Sequence, residues 1–362
     1  MKRIAIITWI TYPNFGTYLQ AYALQQYIKS LGYDCKILDD SPYTKTFTNW
    51  KNKIFGFLTK KHTAFNINKK KTAQLYSQFK KDYIQIDINS TDKEYLESHY
   101  DIFVCGSDQI WNPLFLNDPR SKFYYADFTH KEKIAYAPSL GITTIPDTLK
   151  SQFATMISSF KSLSAREPQG KKILTELSNR NVAEVTDPTL LLDSKYWNSL
   201  LSLPIRHNEK YLLAYFLSPN PVYIEAAKTF AQTHGLKFKI FYTNESYYQS
   251  DGLITAGPIE FIENIRNAEF IFTDSFHGSI FAFLFKIQFI TFKRFKSIGS
   301  GQNSRVENLL AMMQIPEHLI DENNIKNIYN LPSIDFEQAN IHLEPFINSS
   351  KQYLQDALIN HN

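Results

Sequence analysis

Six consecutive residues, Thr273-Asp274-Ser275-Phe276-His277-Gly278, bring a carboxylate, a hydroxyl, an imidazole and a glycine together. They lie where Glu269-Phe270-Ile271-Phe272, an apolar strand-like run, gives way to the apolar, helix-like Ser279-Ile280-Phe281-Ala282-Phe283-Leu284. Open α/β sheets hold ligands at such junctions, because free backbone N–H groups and the helix dipole favour anions there. A titratable histidine at that point can hand a proton to a bound anionic substrate. The same residues can also do no chemistry: Asp274 and Ser275 are ordinary helix caps, and His277 an ordinary first-turn residue. The rest of the chain has to decide.

Polar residues recur after other strand-like runs. Asn14 and Gly16 follow Ile4-Ala5-Ile6-Ile7; Ser107, Asp108, Gln109 and Asn112 follow Ile102-Phe103-Val104-Cys105. Arg166 follows Leu163-Ser164-Ala165, and Lys293 with Arg294 follows the run 288–292. If two sheets turn these ends toward one cleft, fixed cations, a backbone anion nest, an imidazole and a carboxylate converge. No Cys/His or carboxylate cluster has metal-site spacing. Neither a GxSxG nucleophile nor a Walker loop occurs. What remains is an acid/base site for a small anion and a hydroxyl-bearing partner.

Hydrophobic spacing predicts the elements that must position these groups. After a strand at 3–9 comes a helix from Tyr18 to about Leu31, with Leu19, Ala23, Leu24, Tyr27, Ile28 and Leu31 on one buried face. Gly32 stops it, and a strand follows through Cys35-Lys36-Ile37-Leu38. This β-loop-α-β opening is Rossmann-like but lacks GxGxxG. Strands at 102–105, 134–137, 163–167 and 182–186 follow, then a linking region at 190–208. Further strands are expected at 211–216, 237–242, 269–272 and 288–292, with helices at 222–234, 258–267, 303–310 and 336–358. The alternation predicts two doubly wound α/β domains facing a cleft. They span 1–190 and 209–330, with a helical segment at 331–362.

A length of 362 residues accommodates two such cores. A net charge of +4, without an RNA- or DNA-reading motif, argues against a nucleic-acid partner. Cys35 and Cys105 adjoin apolar runs and read as buried reduced thiols. No apolar stretch approaches the roughly 20 residues that cross a bilayer, and the opening run is too short for a signal peptide. A cytoplasmic location is expected. Residues 51–81 carry nine lysines and no Asp or Glu. They read as a solvated helical excursion, or as a basic surface for anionic lipid or a lipid-linked diphosphate, hence peripheral at the inner face of the membrane.

Six stretches in order resemble the polysaccharide pyruvyl transferase family, over nearly the whole chain to about residue 312. They are the run 14–24 from Asn14-Phe15-Gly16-Thr17, Cys105-Gly106-Ser107-Asp108-Gln109-Ile110-Trp111-Asn112, Ser164-Ala165-Arg166-Glu167, Asp187-Pro188-Thr189, the 273–278 motif, and Asn303-Ser304-Arg305. The resemblance implies a fold similar to the GT-B glycosyltransferases. It also implies transfer of a pyruvyl (carboxyethylidene) group from phosphoenolpyruvate to a sugar of a bacterial surface polysaccharide, with no metal and no cofactor beyond that co-substrate. His277 is then the acid that protonates the enol carbon, and Asp108 the acceptor of a hydroxyl proton. The donor's carboxylate and phosphate would meet Arg166, Lys293 and Arg294, with Ser275 and the N–H groups of Gly278 and Ser279 beside them. Asn14, Gly16, Gln20, Ser107, Gln109, Trp111 and Asn112 fit acceptor recognition, the indole by stacking on a pyranose face.

One departure stands out. Family members often carry arginine two residues before the histidine, where this chain has Ser275. Any contact made by that arginine is absent or replaced, with Arg294 and Arg166 at hand. Two other functions stay open: a GT-B glycosyltransferase using a nucleotide sugar, with Glu260 or Glu263 on the ribose, and a non-catalytic glycan-binding protein of the same fold.

Overall fold

A computed structural model describes residues 2–44, 63–201, 209–243, 250–294 and 303–359. The first sheet contains β1 (Arg3–Ile7), β2 (Asp34–Leu38), β3 (Ile86–Asp87), β4 (Ile102–Cys105) and β5 (Glu132–Ala135). Their order is β3-β2-β1-β4-β5, and every pair is parallel. A short parallel pair, β6 (Ser164–Ala165) and β7 (Ala183–Glu184), lies beside β5, where Ala135 N–H donates to Ser162 O at 2.9 Å.

The second sheet contains β8 (Tyr211–Tyr215), β9 (Lys237–Phe241), β10 (Leu253–Ile254), β11 (Phe270–Thr273), β12 (Gln288–Phe292) and β13 (Leu319–Ile320). It is also all parallel, in the order β10-β9-β8-β11-β12-β13. Parallel sheets are covered on both faces, which is why β1, β4, β8 and β11 are continuous apolar runs without alternation. Strand order reverses between β1 and β4 in one sheet, and between β8 and β11 in the other. These switch points open the crevices where loops can hold ligand.

The helix after β1 runs Phe15–Ser30, three residues earlier than its apolar face suggests. Asn14 Oδ1 accepts the Thr17 N–H at 3.3 Å and caps it there. Gly16 hides that start from a propensity argument. The helix is buried almost all round because it lies between the two sheets. Phe15 stacks on Phe261 with ring centroids 4.6 Å apart and also meets Tyr215 and Phe241, all from the second half.

Two other segments cross between the halves. In the linking region, Trp197 on the helix Ser194–Ser199 is fully buried and packs edge-on against Phe281 at 5.0 Å. The helix Phe336–Ile359 returns to the first half, where Tyr353 Oη donates to Ala135 O at 2.9 Å and Thr186 N–H donates to Ser350 Oγ at 2.9 Å.

Of the lysine-rich stretch, 51–62 lies outside the described residues. The remainder belongs to the helix Thr63–Tyr83, whose Tyr76 and Phe79 are buried against Phe15, Tyr18 and Tyr22. That part is amphipathic, with an apolar face turned inward. Among the described residues no helix is long and apolar enough to cross a membrane.

Candidate functional site

A cavity of about 1270 Å³ separates the carboxyl ends of the two sheets. From the first half it is lined by Trp9, Tyr12, Asn14, Asp108, Gln109 and Tyr124, and from the second by Ser275, His277, Lys293, Arg294 and Arg305. The 273–278 motif forms its wall through a local device. Ser275 takes an extended N-cap conformation and its Oγ accepts the Gly278 N–H at 3.3 Å, so the helix Phe276–Leu284 starts with His277 in its first turn.

His277 is buried, with 7% of its surface exposed, and its Nε2 lies 3.3 Å from Asp187 Oδ2. Asp187 is fully enclosed. Its Oδ2 also accepts from Arg166 Nη1 at 2.6 Å, and its Oδ1 accepts from Thr189 N–H at 3.0 Å and Thr189 Oγ1 at 2.7 Å. Burial by itself raises a carboxyl pKa. Here the His277 imidazole, the Arg166 guanidinium and the Thr189 N–H outweigh it and hold Asp187 well below the usual carboxylate range. Asp187 therefore stays ionised beneath the ring. With Nε2 committed to Asp187, Nδ1 is the nitrogen left to work on a ligand.

Glycines allow this close packing. A Cβ on Gly16 would lie 1.9 Å from His277 Nδ1, so the glycine brings the helix 15–30 directly against the ring. A Cβ on Gly278 would lie 2.4 Å from Thr273 Oγ1. Both glycines serve contact between elements.

Asp108 follows β4 with φ 69°, a backbone conformation that costs a residue with a Cβ of order 1–3 kcal/mol. It is held there by three bonds: Oδ2 accepts Thr17 Oγ1 at 2.7 Å, Oδ1 accepts Gln109 N–H at 2.9 Å, and Ser139 N–H donates to its carbonyl at 2.8 Å. Asp274 borders the cavity but is engaged in holding the fold. Its carboxylate accepts the N–H groups of Leu217 at 2.6 Å and Ser218 at 3.1 Å and ties β11 to β8. Burial raises its pKa to about 6, against the lowering effect of those two N–H groups.

Several groups expected at the ligand are engaged elsewhere. Arg166 is 1% exposed and enclosed by carboxylates, Asp187 at 2.6 Å, Glu167 at 3.6 Å and Asp108 at 3.8 Å, so it does not line the cavity. The N–H of Gly278 bonds Ser275 Oγ and that of Ser279 bonds Ser275 O at 3.1 Å, leaving neither for an anion. Trp111 is fully buried, stacked on Tyr125, with its Nε1 donating to Tyr124 O, so no sugar can stack on it. Gln20 and Ser107 are also inaccessible. Gln20 Nε2 donates to Thr8 Oγ1 and Thr17 O while its Oε1 accepts Ser107 N–H, and Ser107 Oγ donates to Ala137 O. Asn112 caps the next turn through Leu114 N–H. Asn14 and Gln109 do reach the cavity, as do Lys293 and Arg294.

The accessible aromatic wall is instead Trp9 and Tyr12, ring centroids 6.5 Å apart, with Tyr12 62% exposed. Asp187 and Arg305 were also missed as site residues. Each sits in a short polar stretch, but only folding brings Asp187 to His277 and Arg305 to the same cavity. Among the described residues no group of three His, Cys, Asp or Glu is arranged to hold a metal ion.

Two Rossmann-like domains around a ligand crevice define a GT-B-type α/β protein, and known structures share that architecture. The S. aureus MnaA–UDP co-structure matches at 12% identity over 99% of this chain and 96% of that one, with a TM-score of 0.54. The UDP-GlcNAc 2-epimerase of Neisseria meningitidis bound to UDP-GlcNAc matches at 10% identity over all of both chains, TM-score 0.51. HepE of Anabaena in complex with UDP and glucose matches at 11% identity over 99% of both, TM-score 0.50. At these identities the likeness is one of fold. No curated protein sequence matches the chain. The family model for polysaccharide pyruvyl transferase matches residues 14–294, and the chain belongs to that family. The matched span ends before Asn303-Ser304-Arg305.

Proposed function

We propose that this chain transfers a carboxyethylidene group from phosphoenolpyruvate to two hydroxyls of one sugar, closing a cyclic ketal on a bacterial surface polysaccharide or its lipid-linked precursor. The observation that supports this best is the His277–Asp187 pair at the cavity wall, with cations on the same side and the Trp9–Tyr12 wall opposite. Asp187 holds the ring through Nε2 at 3.3 Å, and Nδ1 gives a proton to the methylene carbon of the enol. The neighbouring carbon becomes oxocarbenium-like, and a sugar hydroxyl attacks it, losing its proton to Asp108. Phosphate then leaves with the C–O bonding pair, and the second hydroxyl closes the ring. Of the two hydroxyl protons, one replaces that spent by His277 and the other leaves on phosphate or water.

The nucleotide-sugar alternative wants a free carboxylate on the helix Pro258–Arg266. Neither Glu260 nor Glu263 lines the cavity, and Glu260 Oε2 accepts the Gly257 N–H at 2.9 Å and closes its own helix cap, which weighs against it. Mass spectrometry of acceptors incubated with phosphoenolpyruvate tests the reaction. A gain of about seventy mass units is expected for a ketal formed with phosphate as leaving group. Glycosyl transfer from a UDP-sugar, with phosphoenolpyruvate unconsumed, overturns it.

The two tryptophans separate stability from acceptor binding. Trp111→Ala is expected to lower stability by about 3–5 kcal/mol through the cavity it leaves. Trp9, only half-buried, should cost less stability than Trp111 when replaced by alanine, and its loss should raise the acceptor KM. A stable Trp111→Ala whose acceptor KM alone rises would reverse these assignments.

A further inference from the structure

Phosphoenolpyruvate presents a carboxylate and a phosphate, while Ser275 stands where an arginine is often found and Arg166 is enclosed by acids. We infer that Arg305, a residue outside the family-matched span, is the side chain that grips the phosphate of the ligand. This assignment of the anion to the donor rests on the function proposed above.

Four observations carry it. Arg305 lies in the first turn of the helix Asn303–Met312 and lines the cavity on the same wall as Lys293 and Arg294. Its side chain is only 12% exposed, so its charge is largely removed from water. The acid beside it is Glu167, whose Oε1 stands 3.9 Å away, beyond hydrogen-bond range, and is shared with Arg166 Nε at 3.6 Å. Finally, Arg305 Nε is buried without a hydrogen-bond partner.

A guanidinium in that state is costly, because desolvation is met by a weak and divided countercharge. Burial, then the neighbouring Arg166, lower its pKa to about 10, against the opposing pull of Glu167 and Asp108. An entering phosphate removes that penalty and offers oxygens matching the planar fork. Arg166 differs in its countercharge: its Nε and Nη2 also lack a hydrogen-bond partner, but its Nη1 donates to Asp187 at 2.6 Å and Glu167 and Asp108 stand within 4 Å of it. Arg166 thus holds the acids in place, and Arg305 is left for the ligand.

The test is calorimetric titration of the full chain with phosphoenolpyruvate, inorganic phosphate and UDP, for wild type, Arg305→Met and Arg305→Lys, with folding checked by circular dichroism. Wild type should bind phosphoenolpyruvate. Arg305→Met should weaken both that binding and that of inorganic phosphate by about 10-fold or more, and Arg305→Lys by less, since lysine keeps the charge but loses the fork. In turnover the methionine variant should raise the phosphoenolpyruvate KM more than it lowers kcat. Affinity within twofold of wild type in the methionine variant overturns the inference. Should that variant fail to fold, unchanged affinity in Arg305→Lys does so instead. Arg305-dependent binding of UDP, with none of phosphoenolpyruvate, keeps Arg305 as the phosphate holder and overturns the donor proposed above.

Discussion

Replacing His277 by alanine lowers kcat for pyruvyl transfer by about 10²–10⁴-fold, the usual worth of a positioned general acid, while the chain stays folded. The two halves of this expectation have separate physical causes. Activity falls because no other imidazole of the described cavity wall takes over the proton delivery. Folding survives because Asp187 keeps its other partners, Arg166 at 2.6 Å and both Thr189 donors, and so is not left as an unpaired buried charge. Asp187→Asn should also lose most activity, since it removes the carboxylate that orients the ring through Nε2. Steady-state kinetics with phosphoenolpyruvate, beside a thermal melt, reads both. Near-normal turnover in a folded His277→Ala would remove His277 as the acid.

Arg166→Ala should be the most destabilising single change at the site, by about 3–5 kcal/mol, the cost of removing one partner from a buried charge network. It leaves Asp187, Glu167 and Asp108 without the guanidinium between them. The pH dependence has a definite sign. Asp187 is held below its ordinary pKa in the fold, so the stability it supplies is complete above the ordinary carboxylate value, about 4, and lost as pH falls from there toward the folded value. The deficit of Arg166→Ala should therefore be widest near neutral pH and narrow on acidification, as the stranded acids take up protons. Urea unfolding at several pH values measures it. A deficit that stays constant from pH 7 to well below about pH 4 would show that Arg166 acts through packing and not through charge.

Much of the architecture was legible because its signals are local. Continuous apolar runs at β1, β4, β8 and β11, separated by helix-spaced segments, identify parallel strands buried on both faces, and the predicted helix at 222–234 appears as Pro221–Thr233. Elements that the spacing does not predict include the two-residue strands β3, β10 and β13 at the sheet edges, and the helices Lys93–His99, Asp147–Ser158 and Ser194–Ser199. Two residues cannot display a period, and pairing with a distant strand is what makes them extended.

The site divides along the same physical line. That His277 starts a helix at a strand end follows from neighbours in the chain, since the Ser275 cap and the apolar runs on either side are a few residues away. Whether a polar side chain faces ligand or props up the fold depends on partners far along the chain. Arg166 and Arg305 look alike as isolated arginines after a small residue, and Trp111 looks more suited to a sugar than Trp9. The contact of Arg166 with Asp187, the stacking of Trp111 on Tyr125, and the weak, shared countercharge of Arg305 all come from how distant segments pack. Local sequence sets which chemistry is on offer; burial and charge pairing across the two sheets select the side chains free to perform it.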